Sequence, residues 1–336
     1  MSRITKLLAA LLAFTMLAAA CGDDDTAASG DLPTVVVTTN ILGDVVTELT
    51  GGAIEVVTIM PVGADPHDFQ ASAQQADAMR TADALIVNGS DFEEGLLDVI
   101  EGAESDGVLL YEAISAVSTI EVGEGGHDDH DDHEGEEGHD DHEGEEGHDD
   151  HEGHDHSGDD PHFFTDPARM AAAVDGIAAF LIANVEGIDA DAVTEAAEAY
   201  HEELEALDAE VATLIDGIPA ENRVLITNHE VFGYFADRYG FEVAGAIIPS
   251  GSTLDGTSAG DLAELAELIT DEGVPAIFSD VSASDQLAQT LADEVGSSVA
   301  VVELFTESLG DSDSEGATYV DMVRTNATRI AEALAS

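Results

Sequence analysis

The chain has 336 residues, and its 8 Lys and Arg stand against 73 Asp and Glu, a formal charge of −65. So acidic a surface excludes a nucleic-acid partner, because phosphate backbones are bound by basic side chains. The length allows about two domains of roughly 100–200 residues each, and a hydrophobic content of 44% is enough for their cores. The acid excess itself reads as a solvated surface suited to a salty medium or a high-GC genome.

Residues 1–20 read as a signal peptide: Arg3 and Lys6 form a basic start, and Leu7 to Ala20 an apolar run too short to span a bilayer. The run ends Leu17-Ala18-Ala19-Ala20-Cys21-Gly22. This resembles a bacterial lipobox, with Ala18 where leucine is usual. Cys21 is the only cysteine, and a lone free thiol is out of place in an oxidising compartment, whereas an acylated one is not. The expectation is lipid attachment at Cys21, an extracytoplasmic location anchored to the cell membrane, and a tether over 21–32. An ordinary secreted chain is the alternative. No later segment is long and apolar enough to cross a membrane.

From residue 33 the pattern alternates. Thr34-Val35-Val36-Val37-Thr38-Thr39 predicts a buried strand, 41–49 a helix, and 54–59 a strand that leads to Asp65-Pro66-His67. A helix is predicted over 70–81, strands over 84–88 and 108–111, and a helical piece over 96–100. The same plan recurs later, with strands over 223–228, 241–247, 276–279 and 299–304. Helices are predicted between them over 231–239, 258–271 and 285–295, and a last one over 319–334. Strands alternating with helices imply parallel sheets covered on both faces, whose ligands sit beyond the strands' carboxyl ends. Between the halves, Val193, Ala196, Ala197, Tyr200, Leu204, Leu207, Val211, Leu214 and Ile215 recur at steps of three and four, the stripe of one long amphipathic helix over 191–215. It lacks internal Gly or Pro and reads as a stiff spine. The expected organisation is an N-terminal lobe over 33–188, a linking helix over 189–216 and a C-terminal lobe over 217–336.

The segment 123–159 has a different composition. His127, His130, His133, His139, His142, His148, His151, His154 and His156 recur among Asp, Glu and Gly. Such low complexity is not expected to fold. Imidazoles interleaved with carboxylates suit zinc, nickel or copper, and binding should weaken as pH falls because the acids hold protons on the imidazoles. The tract is expected to gather metal at low affinity; an acidic spacer is the alternative.

Four histidines remain. His201 lies on the long helix and reads as a solvated residue. His67 and His162 each follow Asp-Pro, whose proline restricts the turn, and each is followed by a phenylalanine within two residues. His229 follows a strand and precedes Gly233-Tyr234-Phe235. Three histidines at matching topological places, beside the tract, point to a metal.

The order Asp65-Pro66-His67, His/Asp/Glu tract, Asp160-Pro161-His162-Phe163 with Asp166-Pro167, then His229 with Gly233-Tyr234-Phe235 resembles the ZnuA/TroA family, the metal-binding proteins of zinc and manganese ABC importers. The resemblance spans about residues 33–336. It implies two (β/α) lobes with a rigid linking helix and metal in the cleft between them, ligated by His67, His162 and His229. It also implies a fourth ligand at Glu307, where the family commonly has aspartate. Three imidazoles and a carboxylate suit Zn2+, while Mn2+ prefers more oxygen; manganese-type members usually have an acid at the place of His229. The implied function is capture of Zn2+ and delivery to an ABC permease. The chain lacks a Gly-x-x-x-x-Gly-Lys loop, so the ATPase is a separate protein. A monomer is expected. The alternatives are a manganese importer component, a zinc-buffering or adhesin lipoprotein and, last, a zinc hydrolase; the chain lacks His-Glu-x-x-His, and a fourth ligand would close the site. Whether Glu307 coordinates directly, and which of Asp65, Asp160 and Glu230 orients an imidazole, stay open.

Overall fold

In the computed structural model, residues 32–123, 158–296 and 299–335 are described. Cys21 and the nine tract histidines lie outside them. From Pro33 to the end the chain forms one unit, built as two α/β lobes.

The first lobe holds β1 (Thr34–Val37), α1 (Asn40–Thr50), β2 (Glu55–Thr58), α2 (Ala73–Thr81), β3 (Ala84–Val87), α3 (Leu97–Ser105) and β4 (Leu109–Glu112). Then come α4 (Pro167–Asn184) and α5 (Ala190–Ile215). The second lobe holds β5 (Val224–Thr227), α6 (Gly233–Tyr239), β6 (Glu242–Ala246), α7 (Ala259–Glu272), β7 (Ala276–Asp280), α8 (Gln286–Val295), β8 (Ala300–Leu304) and α9 (Tyr319–Leu334). The sheets are wholly parallel and share one topology, β2-β1-β3-β4 and β6-β5-β7-β8. Each therefore has a switch point beside its first strand, where loops diverge and leave a crevice at the carboxyl ends.

The central strands β1, β3, β5 and β7 are buried on both faces, with alternate residues facing different cores, while the edge strands β2, β4, β6 and β8 are partly exposed. Val35 and Val37 join the cluster that runs along the spine, while Val36 packs with Ile59, Met79 and Leu85 on the outer side. In the second lobe Ile226 and Ile277 pack outward against Leu265, Ile269 and Leu291. Helix starts follow capping chemistry. α2 begins three residues after the expected Gln70 because Ser72 and Gln75 form a reciprocal capping box, which satisfies two otherwise orphaned donors.

α5 buries Val193, Ala197, Tyr200, Leu204, Leu207, Val211 and Ile215, the stripe expected from the sequence. It packs against α1, α4 and α9, and one apolar cluster continues from Val35 through this stripe to Leu334. At about 1.5 Å per residue the helix is about 39 Å long. α4 has no counterpart among the helices expected from the pattern. Asp166 caps it and Pro167 opens it, a favoured start. Its buried residues, from Met170 through Ala173, Val174 and Ile177 to Leu181, are mixed with alanine on nearly every side, so no polar face marks it.

Candidate metal centre

The two Asp-Pro-His turns close in the same way. Asp65 Oδ1 accepts the His67 backbone N–H at 2.9 Å, and Asp160 Oδ1 accepts that of His162 at 2.9 Å. Each aspartate thus mimics a backbone turn two residues on and fixes where its histidine leaves the chain. The side chains then differ. Asp160 Oδ1 also lies 2.7 Å from His162 Nδ1, while Asp65 Oδ2 accepts from Thr253 Oγ1 of the second lobe at 2.7 Å. His67 Nδ1 is instead 3.0 Å from Glu94 Oε1. A carboxylate on Nδ1 fixes the tautomer with Nδ1 protonated and turns the Nε2 lone pair inward.

His229 stands just past β5, where Thr227 Oγ1 donates to its carbonyl at 2.7 Å. Glu307 stands just past β8. Its Oε1 lies 2.8 Å from His67 Nε2, 3.1 Å from His229 Nε2 and 3.3 Å from His162 Nε2. The four residues' ligand atoms all lie within 4.8 Å of one another, and all four side chains are buried. Phe92 walls the site, packing edge-on against His67 and His162 at centroid distances of 5.2 and 5.5 Å.

Water-excluding walls strengthen the charges within. Burial alone would push His67 down, but Glu307 and Glu94 outweigh it and lift the imidazole to about 10. His162 is likewise opposed by burial and raised by Asp160 and Glu307. Burial would raise the Glu307 carboxyl, yet the His229 and His67 imidazoles hold it well below the usual carboxylate range. Protons and a carboxylate thus stabilise one another where a divalent cation would compete for the same lone pairs. Glu307 Oε2 and His229 Nδ1 are buried without a hydrogen-bond partner among the described residues. That spare carboxylate oxygen, beside three inward-turned nitrogens, fits a cation held by N and O donors.

The loop between β3 and α3 supports both first-lobe histidines. Buried Glu93 accepts from Thr38 Oγ1 at 2.5 Å and from Asn88 N at 2.7 Å. This stabilises a bend in which Ser90 and Asp91 both take φ 55°, the left-handed region rare outside glycine. The bend presents Phe92 and Glu94, and Asn88 Nδ2 donates to Pro161 O at 2.9 Å.

The mouth is a cavity of about 140 Å³ lined by His67, Asp91, Glu94, Val122, Gly158 and Ser252, among others. Val122 and Gly158 flank the tract. Glu121 and Asp159 pair in an antiparallel bridge, so both ends of the tract meet at this mouth.

The structure therefore brings His67, His162, His229 and Glu307 to one point. It leaves His201 apart, half-buried on α5 beside Asp175 at 3.1 Å. Among the three candidate orienting acids, Asp160 meets the His162 ring, Asp65 holds only a backbone N–H of its histidine, and Glu230 places its backbone N–H on Ser250 O. Glu94 and Asp280 were not read from the sequence. Asp280, buried at the end of β7, is pushed up by burial and by Glu307's charge. The signal available for both was position alone, since each follows a strand's carboxyl end.

Fold and donor set together define a two-lobed metal-binding protein. The family model for ZnuA, the zinc-uptake complex component A periplasmic, matches residues 35–333, and the chain belongs to that family. The zinc-binding protein TroA of Treponema pallidum is 31% identical over 337 residues, covering 98% of each chain. The manganese-binding lipoprotein MntA of Bacillus subtilis is 28% identical over 335 residues, again covering 98% of each. The solved structure of the periplasmic zinc-binding protein TroA of T. pallidum aligns with a TM-score of 0.76 and 29% identity, over 91% of this chain and 100% of that one.

Proposed function

We propose that this protein captures Zn2+ outside the cytoplasm and delivers it to an ABC permease driven by a separate ATPase. The observation that carries the reading is the buried convergence of three imidazoles and one carboxylate, with all ligand atoms within 4.8 Å. Zn2+ takes four such N and O donors at about 2.0–2.2 Å. His67, His162, His229 and Glu307 are the proposed ligands. His127, His130, His133, His139, His142, His148, His151, His154 and His156 gather metal at low affinity. Cys21 carries the lipid that anchors the monomer to the cell membrane, and the protein is not an enzyme.

A second reading, Mn2+, is favoured by one feature. Glu307 Oε2 has no partner among the described residues, so bidentate coordination would add the second oxygen that Mn2+ prefers. Competitive titration of the metal-free protein with Zn2+ and Mn2+, with and without residues 127–156, decides between them. One tight Zn2+ equivalent that survives removal of the tract and is lost in His67→Ala supports the proposal. Tight binding that follows the tract and ignores His67 overturns it.

A further inference from the structure

His162 belongs to the first lobe, yet its carboxylate partner is gripped from the second. Tyr234, on α6 five residues after His229, is fully buried. Its hydroxyl donates to the Asp160 carbonyl at 2.6 Å and accepts from Ile120 N at 3.4 Å. Asp160 N donates to Ile120 O at 2.8 Å, so the phenol closes over the pair of segments that leads into His162. Gly233 permits the approach, because a Cβ there would stand 2.5 Å from Asp160 Oδ2. The Arg169 guanidinium lies 4.7 Å over the Tyr234 ring. It is pinned at 2.7 Å to Asp166 in the first lobe and at 2.7 Å to Asp237 on α6.

We infer that Tyr234 is a positioning residue that makes the orientation of His162 depend on closure of the second lobe. It fixes Asp160 through the backbone carbonyl, and Asp160 fixes the His162 ring through Nδ1. Opening of the second lobe then withdraws His229 and Glu307 directly and unpins His162 in the same motion. The His67 ring, oriented by Glu94 of its own lobe, is left as the last ligand in place. The inference rests on the reading of these four residues as the metal site.

Stopped-flow release of Zn2+ from the loaded full chain into excess chromogenic chelator tests it. Tyr234→Phe removes the bond donated to Asp160 O and the long one accepted from Ile120 N, and is expected to speed release about three- to tenfold. Tyr239→Phe removes a comparable bond on the same helix, to Asp208 at 2.9 Å, and is expected to lower Tm similarly without changing release. In an Asp160→Ala background Tyr234→Phe should add nothing further. Independently, 15N imidazole shifts of the zinc-loaded Tyr234→Phe protein should move for His162 and stay for His67. Equal release from the two tyrosine variants, or an unmoved His162 ring, overturns the coupling alone. A wild-type chain that takes up no stoichiometric Zn2+ overturns the metal-site reading and this inference with it.

Discussion

Asn40 at the start of α1 grips Ser308 across the cleft: its Nδ2 lies 2.9 Å from Ser308 Oγ, and its Oδ1 accepts the next backbone N–H, of Leu309, at 2.8 Å. Ser308 Oγ also accepts from Gly63 N at 2.7 Å. The residue after Glu307 is thus tied to the first lobe at two points, Asn40 at the start of α1 and Gly63 in the loop that leads to His67. Asn40→Ala is expected to weaken Zn2+ binding by about tenfold, a loss of about 1–2 hydrogen bonds' net worth. Isothermal titration against a competing chelator measures it; an unchanged affinity would show that Glu307 keeps its place without the clasp.

Glu94 orients His67 through Nδ1 at 3.0 Å. Glu94→Gln keeps the size but removes the charge that favours a protonated Nδ1. Loss of a carboxylate behind a ligating imidazole costs about 10–100-fold in metal affinity. That range is expected here, and the cobalt-substituted protein should report the changed His67 donor in its visible absorption.

Two opposite pH trends are expected. In the metal-free protein His67 is raised to about 10. Its contribution to stability is therefore full below about pH 6.5 and is lost as pH rises toward 10. Glu307 is held low, so its contribution is full above about pH 4.5 and is lost on further acidification. Metal binding must displace the imidazole protons, so affinity should rise with pH, by up to about tenfold per pH unit for each proton released. The gain in Tm on adding Zn2+ should accordingly be larger at pH 8 than at pH 6. A gain independent of pH would show that the imidazoles are already neutral in the metal-free protein.

Gly233 gives a steric test of the cross-lobe contact. Gly233→Ala puts a methyl 2.5 Å from Asp160 Oδ2 and 3.2 Å from Ile120 Cδ1, and such overpacking typically costs about 1–3 kcal/mol. Thermal unfolding should register the loss, and Zn2+ affinity should fall with it because the displaced carboxylate is the one on His162.

The convergence of His67, His162 and His229 was legible because they sit where the chain announces them. His67 and His162 follow Asp-Pro turns, and His229 follows the β-branched and aliphatic strand that ends at Thr227. Of the supporting residues, Asp160 was put forward by its place in the Asp-Pro-His turn, but Glu94 was not, and the contact Tyr234 makes was not. Glu94 is one acid among 73, and nothing in Phe-Glu-Glu-Gly says which carboxylate turns toward an imidazole and which toward Thr38. Tyr234 belongs to the Gly233-Tyr234-Phe235 run after His229, but nothing in that run says that its hydroxyl meets a carbonyl 74 residues away. In the fold, α5 was legible through its alternating faces, and α4 was not because alanine packs on almost any side.

The bridge between Glu121 and Asp159 has a consequence for how the tract can change over time. Gly123 and Gly158, the described residues on either side of the tract, are held beside one another by that bridge. Repeats of histidine and acid can then be gained or lost between Gly123 and Gly158 without altering the path of the chain into Asp160. The number of repeats is thereby decoupled from the positions of the four side chains that converge beyond it.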